Sequence, residues 1–202
     1  MLKIPVPVLI LQHPQEPSRK DSEVSSARVI TETIEPSFIR TGLSWKNLAQ
    51  AIKGWKEIET LPELLKPGLW HTLYLGTKKN AQVDRASTPG IYYLDKKGEP
   101  VDAPGNPELG GLILLDGTWA QAKTLWWRNA WLTKTKRIYI VPKSKSLYGN
   151  LRKEPRPECV STVEALAETL DFLGVDANAS ATLKQKFGAA LDQFKKKAGQ
   201  KE

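Results

Sequence analysis

Leu112-Ile113-Leu114-Leu115 runs without a polar residue into Asp116-Gly117-Thr118-Trp119, and a helical pattern starts at once. A short apolar run bounded by an acid and a glycine is the pattern of a strand buried on both faces. In α/β proteins such strands end at the carboxyl edge of a parallel sheet, where clefts open. Asp116 then meets the cleft with its carboxylate only partly hydrated. Gly117 permits a tight turn or the close approach of a ligand.

The rest of the chain alternates in the same way. Residues 6–11, 71–75, 90–94, 111–115 and 137–141 read as strands. Helical spacing appears over residues 44–52, through Trp45, Leu48, Ala49 and Ile52. It returns over residues 118–130, and over 161–173 through Val163, Leu166, Ala167, Leu170 and Leu173. A last helix, 181–197, buries Leu183, Phe187, Leu191 and Phe194 and ends in a solvated, frayed Lys195-Lys196-Lys197. Arg28-Val29-Ile30 fits a helix or a short strand. Loops are expected at 95–110, rich in proline and glycine, and across the polar stretch 143–159. The alternation predicts an α/β fold, a mostly parallel sheet flanked by helices, in a single domain over residues 1–202.

Composition narrows the function classes. The chain carries 30 Lys and Arg against 22 Asp and Glu, a formal charge of +8. That excess suits an anionic partner such as nucleic acid, and equally an ordinary solvated surface. Cys159 is the single cysteine, and His13 and His71 lie far apart. A disulfide framework is excluded and a structural zinc site is not expected. The longest apolar runs, such as Val6 to Leu11, are too short to span a bilayer. No basic segment leads into a long apolar stretch, so the expected location is cytoplasmic, with no membrane partner.

Two short motifs have chemistry to offer. Thr118 with Gln121, and Ser161 with Glu164, have capping-box spacing, each closing the amides of a helix start. The same amides can hold a carboxylate or phosphate, and the two roles coexist. Trp119, Trp126, Trp127 and Trp131 crowd one stretch. Trp126 and Trp127 cannot share a helix face, so one of them belongs near the surface or a pocket. Trp119, beside the strand end, is the one placed to line a site. Arg128, Lys134, Lys136, Arg137, Lys143, Lys145, Arg152, Lys153 and Arg156 offer a basic surface for RNA phosphates or a plain solvated face.

Four segments in order carry a resemblance: His13-Pro14-Gln15-Glu16, Asp116-Gly117-Thr118-Trp119, Tyr148 through Arg152-Lys153-Glu154-Pro155, and Ser161-Thr162-Val163-Glu164-Ala165. Together they resemble the DTW-domain family over most of the chain. The resemblance implies a SPOUT-like fold with a knot near the carboxyl end. It implies transfer of the 3-amino-3-carboxypropyl group of S-adenosylmethionine to uridine N3 in tRNA, with release of 5′-methylthioadenosine and no metal. Asp116 becomes the candidate catalytic base, or else a ligand for the donor's ammonium or ribose. Leu115, Gly117, Thr118, Trp119, Ser161, Thr162 and Glu164 become candidates for the donor pocket. Arg128, Lys136, Arg137, Lys143 and Arg152 become candidates for RNA contact. The chain departs from many relatives in lacking a cysteine-rich start and the Thr-Gly that usually follows the first segment. A methyltransferase of the same broad fold and a non-catalytic RNA-binding module are the rival readings.

Overall fold

The computed structural model describes residues 1–18, 24–74, 88–103, 108–149 and 160–199. Its strands are β1 (Leu2–Gln12), β2 (Ile34–Thr41), β3 (Trp70–Leu73), β4 (Gly90–Leu94), β5 (Pro100–Val101), β6 (Gly111–Asp116) and β7 (Lys136–Val141). They form one sheet in the order β2-β1-β6-β3-β7-β4-β5. The first five positions pair in parallel; β4 and β5 add an antiparallel ribbon at one edge. The expected mostly parallel sheet is therefore present. The stretch 150–159, close to where the resemblance implies a knot, lies outside the described residues.

Strand β6 sits at the middle of the parallel part, and all its residues are buried. Its side chains alternate between two cores, as the pleat requires. Leu112 and Leu114 join Val8 and Ile10 of β1 in one core. Ile113 and Leu115 join Leu9 and Leu11 in the other. Helices α1 (Ser26–Thr31), α5 (Thr162–Phe172) and α6 (Ala177–Gly199) cover the first face. Helices α2 (Leu48–Ala51), α3 (Lys56–Glu59) and α4 (Trp119–Arg128) cover the second. At the start of β6 the ring of Trp70 fills the space a side chain would need: a Cβ on Gly111 would stand 2.5 Å from it. Glycine is the residue that lets a fully buried tryptophan pack there.

Several boundaries differ from expectation. The segment 44–52 makes only the one-turn α2, whose start is set at Leu48 by Asn47, which accepts the Gln50 N–H at 2.9 Å. Ala51, not Ala49, faces the core. Residues 28–30 are helical, within α1. Helix α4 stops at Arg128, where Asn129 turns its side chain back onto the Leu125 carbonyl at 2.7 Å. Helix α6 begins earlier and carries Lys195, Lys196 and Lys197 as helix, exposed but not frayed. Strand β2 is an addition to the expected strands, since Ile34-Glu35-Pro36-Ser37 lacks the apolar continuity of a parallel strand. It lies at the sheet edge and pairs only with β1, a place that tolerates a proline.

Candidate active site

The register of the sheet sets Gln12, the last residue of β1, opposite Asp116, the last residue of β6. Asp116 is 5% exposed. Its Oδ2 accepts from Gln12 Nε2 at 3.0 Å and its Oδ1 accepts from Thr162 Oγ1 at 2.9 Å. Gln12 Oε1 in turn accepts from Thr41 Oγ1, at 3.2 Å, on the last residue of β2. A continuous polar chain thus crosses the carboxyl ends of three strands and reaches the first turn of α5. A buried carboxylate demands such partners. Thr162 stands 46 positions from Asp116 along the chain, so this bond joins the two motifs in space.

Gly117 has φ of 156°, and a Cβ there would lie 2.9 Å from Gln121 Cβ and 3.3 Å from His13 Cβ. The tight turn is therefore required for the first turn of α4 and the loop after β1 to close around the strand end. That loop is tied in turn: Gln121 Nε2 donates to Gln15 Oε1 at 3.1 Å, and His13 N–H donates to the Asp116 carbonyl at 2.9 Å. His13 Nδ1 accepts the Gln15 N–H at 3.3 Å, which puts the proton of the neutral ring on Nε2.

Beside Asp116 a crevice opens between the carboxyl ends of β3, β6 and β7 and the start of α5. Leu114, Leu115, Ile138 and Ile140 form its apolar walls; Tyr74 and Trp119 supply aromatic faces; Gly117 and Thr162 stand at the polar end. Mostly apolar walls with a few convergent polar groups are the usual composition of a small-molecule site. Of the expected donor-pocket residues, Leu115, Gly117, Trp119 and Thr162 line this crevice. Thr118, Ser161 and Glu164 stand behind it as caps. Both capping boxes are formed.

The second box does more than cap. Glu164 is 4% exposed. Its carboxylate accepts the Ser161 N–H at 3.0 Å, the Leu147 N–H at 2.7 Å and the Ser146 hydroxyl at 3.0 Å. Glu168, one turn on, accepts the Lys143 N–H at 2.9 Å and the Lys184 ammonium at 3.1 Å. Helix α5 therefore holds the segment after β7 through two buried carboxylates.

The described RNA-contact candidates fall on α4, on β7 and on the segment after β7. Arg128 is exposed at the end of α4. Lys136 and Arg137 open β7. Arg137 lies over the Trp126 ring at 4.8 Å and the Tyr74 ring at 5.6 Å, and donates to the carbonyls of Asp95 and Lys96. Lys143 pairs with Asp171 and lies over the Phe172 ring at 4.7 Å. The hydrogen bond between them raises the Lys143 pKa and lowers that of Asp171. Arg152 lies outside the described residues.

Gln12, Thr41 and Tyr74 join the site without standing among the residues expected there. Gln12 carries the signal already applied to Asp116, a polar residue ending a buried apolar strand. Thr41 and Tyr74 carry none, because only strand pairing brings them in.

A family model described as DTW domain matches residues 1–195. A protein named tRNA-uridine aminocarboxypropyltransferase 2 from Macaca fascicularis is 33% identical over 85 residues, covering 42% of this chain and 28% of that protein. Its namesake from Mus musculus is 34% identical over 85 residues, with the same shares. The alignment thus spans less than a third of these curated relatives. No solved structure gives a significant match.

Proposed function

The chain belongs to the DTW-domain family, and from that premise we propose that it transfers the 3-amino-3-carboxypropyl group of S-adenosylmethionine to N3 of a uridine in tRNA, with release of 5′-methylthioadenosine. The observation that carries this reading is the hydrogen bond between Thr162 and Asp116, which brings both family motifs to one crevice. Apolar walls, aromatic side chains and a polar end suit a ligand that is part nucleoside, part thioether and part amino acid. The same reading takes residues 1–202 as one SPOUT-like domain, knotted near the carboxyl end, acting on tRNA in the cytoplasm without a metal.

When bound, the donor supplies a sulfonium whose methionine side-chain carbon is open to attack. The chain's contribution is positioning, which dominates displacements of this kind. Trp119 and Tyr74 face the crevice where an adenine or target base can stack. Asp116 has two candidate roles, as the base that takes the N3 proton and as a ligand for the donor's ammonium or ribose. Both need a carboxylate held at the strand end, where Gln12 and Thr162 each donate a hydrogen bond to it.

Asp116→Asn, nearly isosteric, tests this. Transfer should fall about 100-fold or more while the fold persists. If Asp116 holds the ammonium, calorimetry will show weaker S-adenosylmethionine binding and unchanged binding of 5′-methylthioadenosine, which lacks that group. Near wild-type turnover would remove Asp116 from the mechanism. Release of S-adenosylhomocysteine would instead establish the methyltransferase reading, and absence of any donor binding would favour the RNA-binding module.

A further inference from the structure

Trp127 is 79% exposed, and it is the one aromatic residue with an exposed side chain among the described residues. An indole left in water forgoes about as much burial free energy as any side chain can gain. Its neighbour Trp126 is buried, so the helix had an inward place for one ring only. The position of the outward ring is informative. Trp127 stands on α4, whose first residue, Trp119, lines the crevice. Ala120, Lys123 and Trp127 follow one another at helical spacing on the exposed face. That stripe starts beside the crevice and ends roughly 12 Å along the helix from Trp119.

The chain segment that carries the stripe has charge of one sign. No aspartate or glutamate stands between Asp116 and Glu154 in the chain. Lys123 and Arg128, both exposed, have no acidic partner among the described residues. The far end of the stripe is rigid as well. Asn129, fully buried, accepts the Trp45 N–H at 2.8 Å and donates to the carbonyls of Leu43 and Leu125. Ser44 donates to the Arg128 carbonyl at 3.0 Å. A flat π-face held on a fixed helix, with cations beside it, has the composition of a single-stranded nucleic-acid platform.

We propose that this outer stripe of α4 is an RNA-binding track, on which an unpaired base of the substrate RNA stacks against Trp127 while Lys123 and Arg128 meet the flanking phosphates. The inference rests on the proposed action on tRNA and adds where the RNA lies. It also gives Arg128 a role separate from Arg137 and Lys143, whose side chains the fold already engages.

The test uses the full chain and a pool of unmodified tRNA transcripts, with affinity read by anisotropy across a salt series. Trp127→Ala should weaken binding roughly 5- to 150-fold, leave S-adenosylmethionine affinity unchanged, and leave the salt slope unchanged. Trp127→Phe, which keeps a π-face, should retain most of the affinity. The double variant Lys123→Gln with Arg128→Gln should reduce the slope of log affinity against log salt by about 0.7 to 0.9 for each phosphate that no longer meets a cation. Equal affinity of wild type and Trp127→Ala would overturn the track and leave tRNA as substrate. No tRNA binding by the wild type would overturn both. A shift from dimer to monomer in Trp127→Ala at constant tRNA affinity would assign the ring to a second copy of the chain and overturn the track alone.

Discussion

The two capping boxes of this protein are written almost identically and do different work. Thr118 with Gln121 opens α4, and Ser161 with Glu164 opens α5; in each the hydroxyl and the side chain three residues on close reciprocal hydrogen bonds. The first box is neutral and half-buried. Its Gln121 has an amide to spare and turns it to Gln15, steadying the loop after β1. The second is charged and buried, and its carboxylate gathers donors from Ser146, Leu147 and Ser161. A carboxylate taken from water needs more acceptor bonds satisfied than an amide does. Exchanging glutamine for glutamate at the third helical position thus changes a cap into a clamp on the segment that follows β7. A capping box specifies a helix start, while burial decides how much of the fold hangs from it.

The largest effect is expected at Glu164. Glu164→Ala strands three donors that the carboxylate now satisfies, and should cost about 3 kcal/mol, read as a lower urea midpoint at unchanged slope. A cost near 1 kcal/mol would reduce Glu164 to a cap like Gln121. Acid probes the opposite case, a buried polar group left without partners. His71 is fully buried, and neither ring nitrogen finds a hydrogen bond among the described residues. Burial first, and the charge of Lys136 second, lower its pKa from 6.5 to about 4; the nearby Leu69 backbone offsets part of this. The folded state therefore disfavours the protonated ring. Stability due to this site is full above pH 6.5 and declines as the pH falls towards about 4. At pH 5 the loss should be about 2 kcal/mol, and His71→Phe, which keeps a ring against Tyr93, should flatten that dependence relative to wild type. Parallel pH curves for the two proteins would exclude His71 as the cause.

Smaller effects are expected at the two capping hydroxyls. Ser161→Ala removes one cap bond and should cost about 1 kcal/mol with transfer retained. Activity falling well beyond stability would show that the second box also serves the crevice. Thr118→Ala, in the more solvated box and with a cap bond of 3.3 Å, should cost about 0.5 kcal/mol. A larger cost than that of Ser161→Ala would invert the ranking and point to the ties between Gln121, Gln15 and the β1 loop as the stronger device.

Much of this architecture was legible along the chain because it depends on neighbours in sequence. The apolar run 112–115 had the pattern of a doubly buried strand, and it became the middle of the parallel sheet. Hydroxyl and amide or acid at capping spacing closed two helix starts, as local geometry dictates. The 3.6-residue spacing of Val163, Leu166, Ala167 and Leu170 buried that face of α5. The separation of Trp126 from Trp127, one inside and one outside, followed from the same period.

The site itself was decided by pairing across the sheet. Asp116 met Gln12 because β1 and β6 are in register, and Thr162 reached Asp116 because α5 packs on the face that ends there. Strand β2, weak in its own pattern, exists because β1 offers it an edge, and with it comes Thr41. The basic residues show the limit most clearly. Arg128, Arg137 and Lys143 are equivalent as charges in a sequence, and the fold left one in solvent, laid one on two aromatic rings and bound one to Asp171. Charge is a property of the residue, whereas its availability depends on which groups the tertiary structure brings within reach.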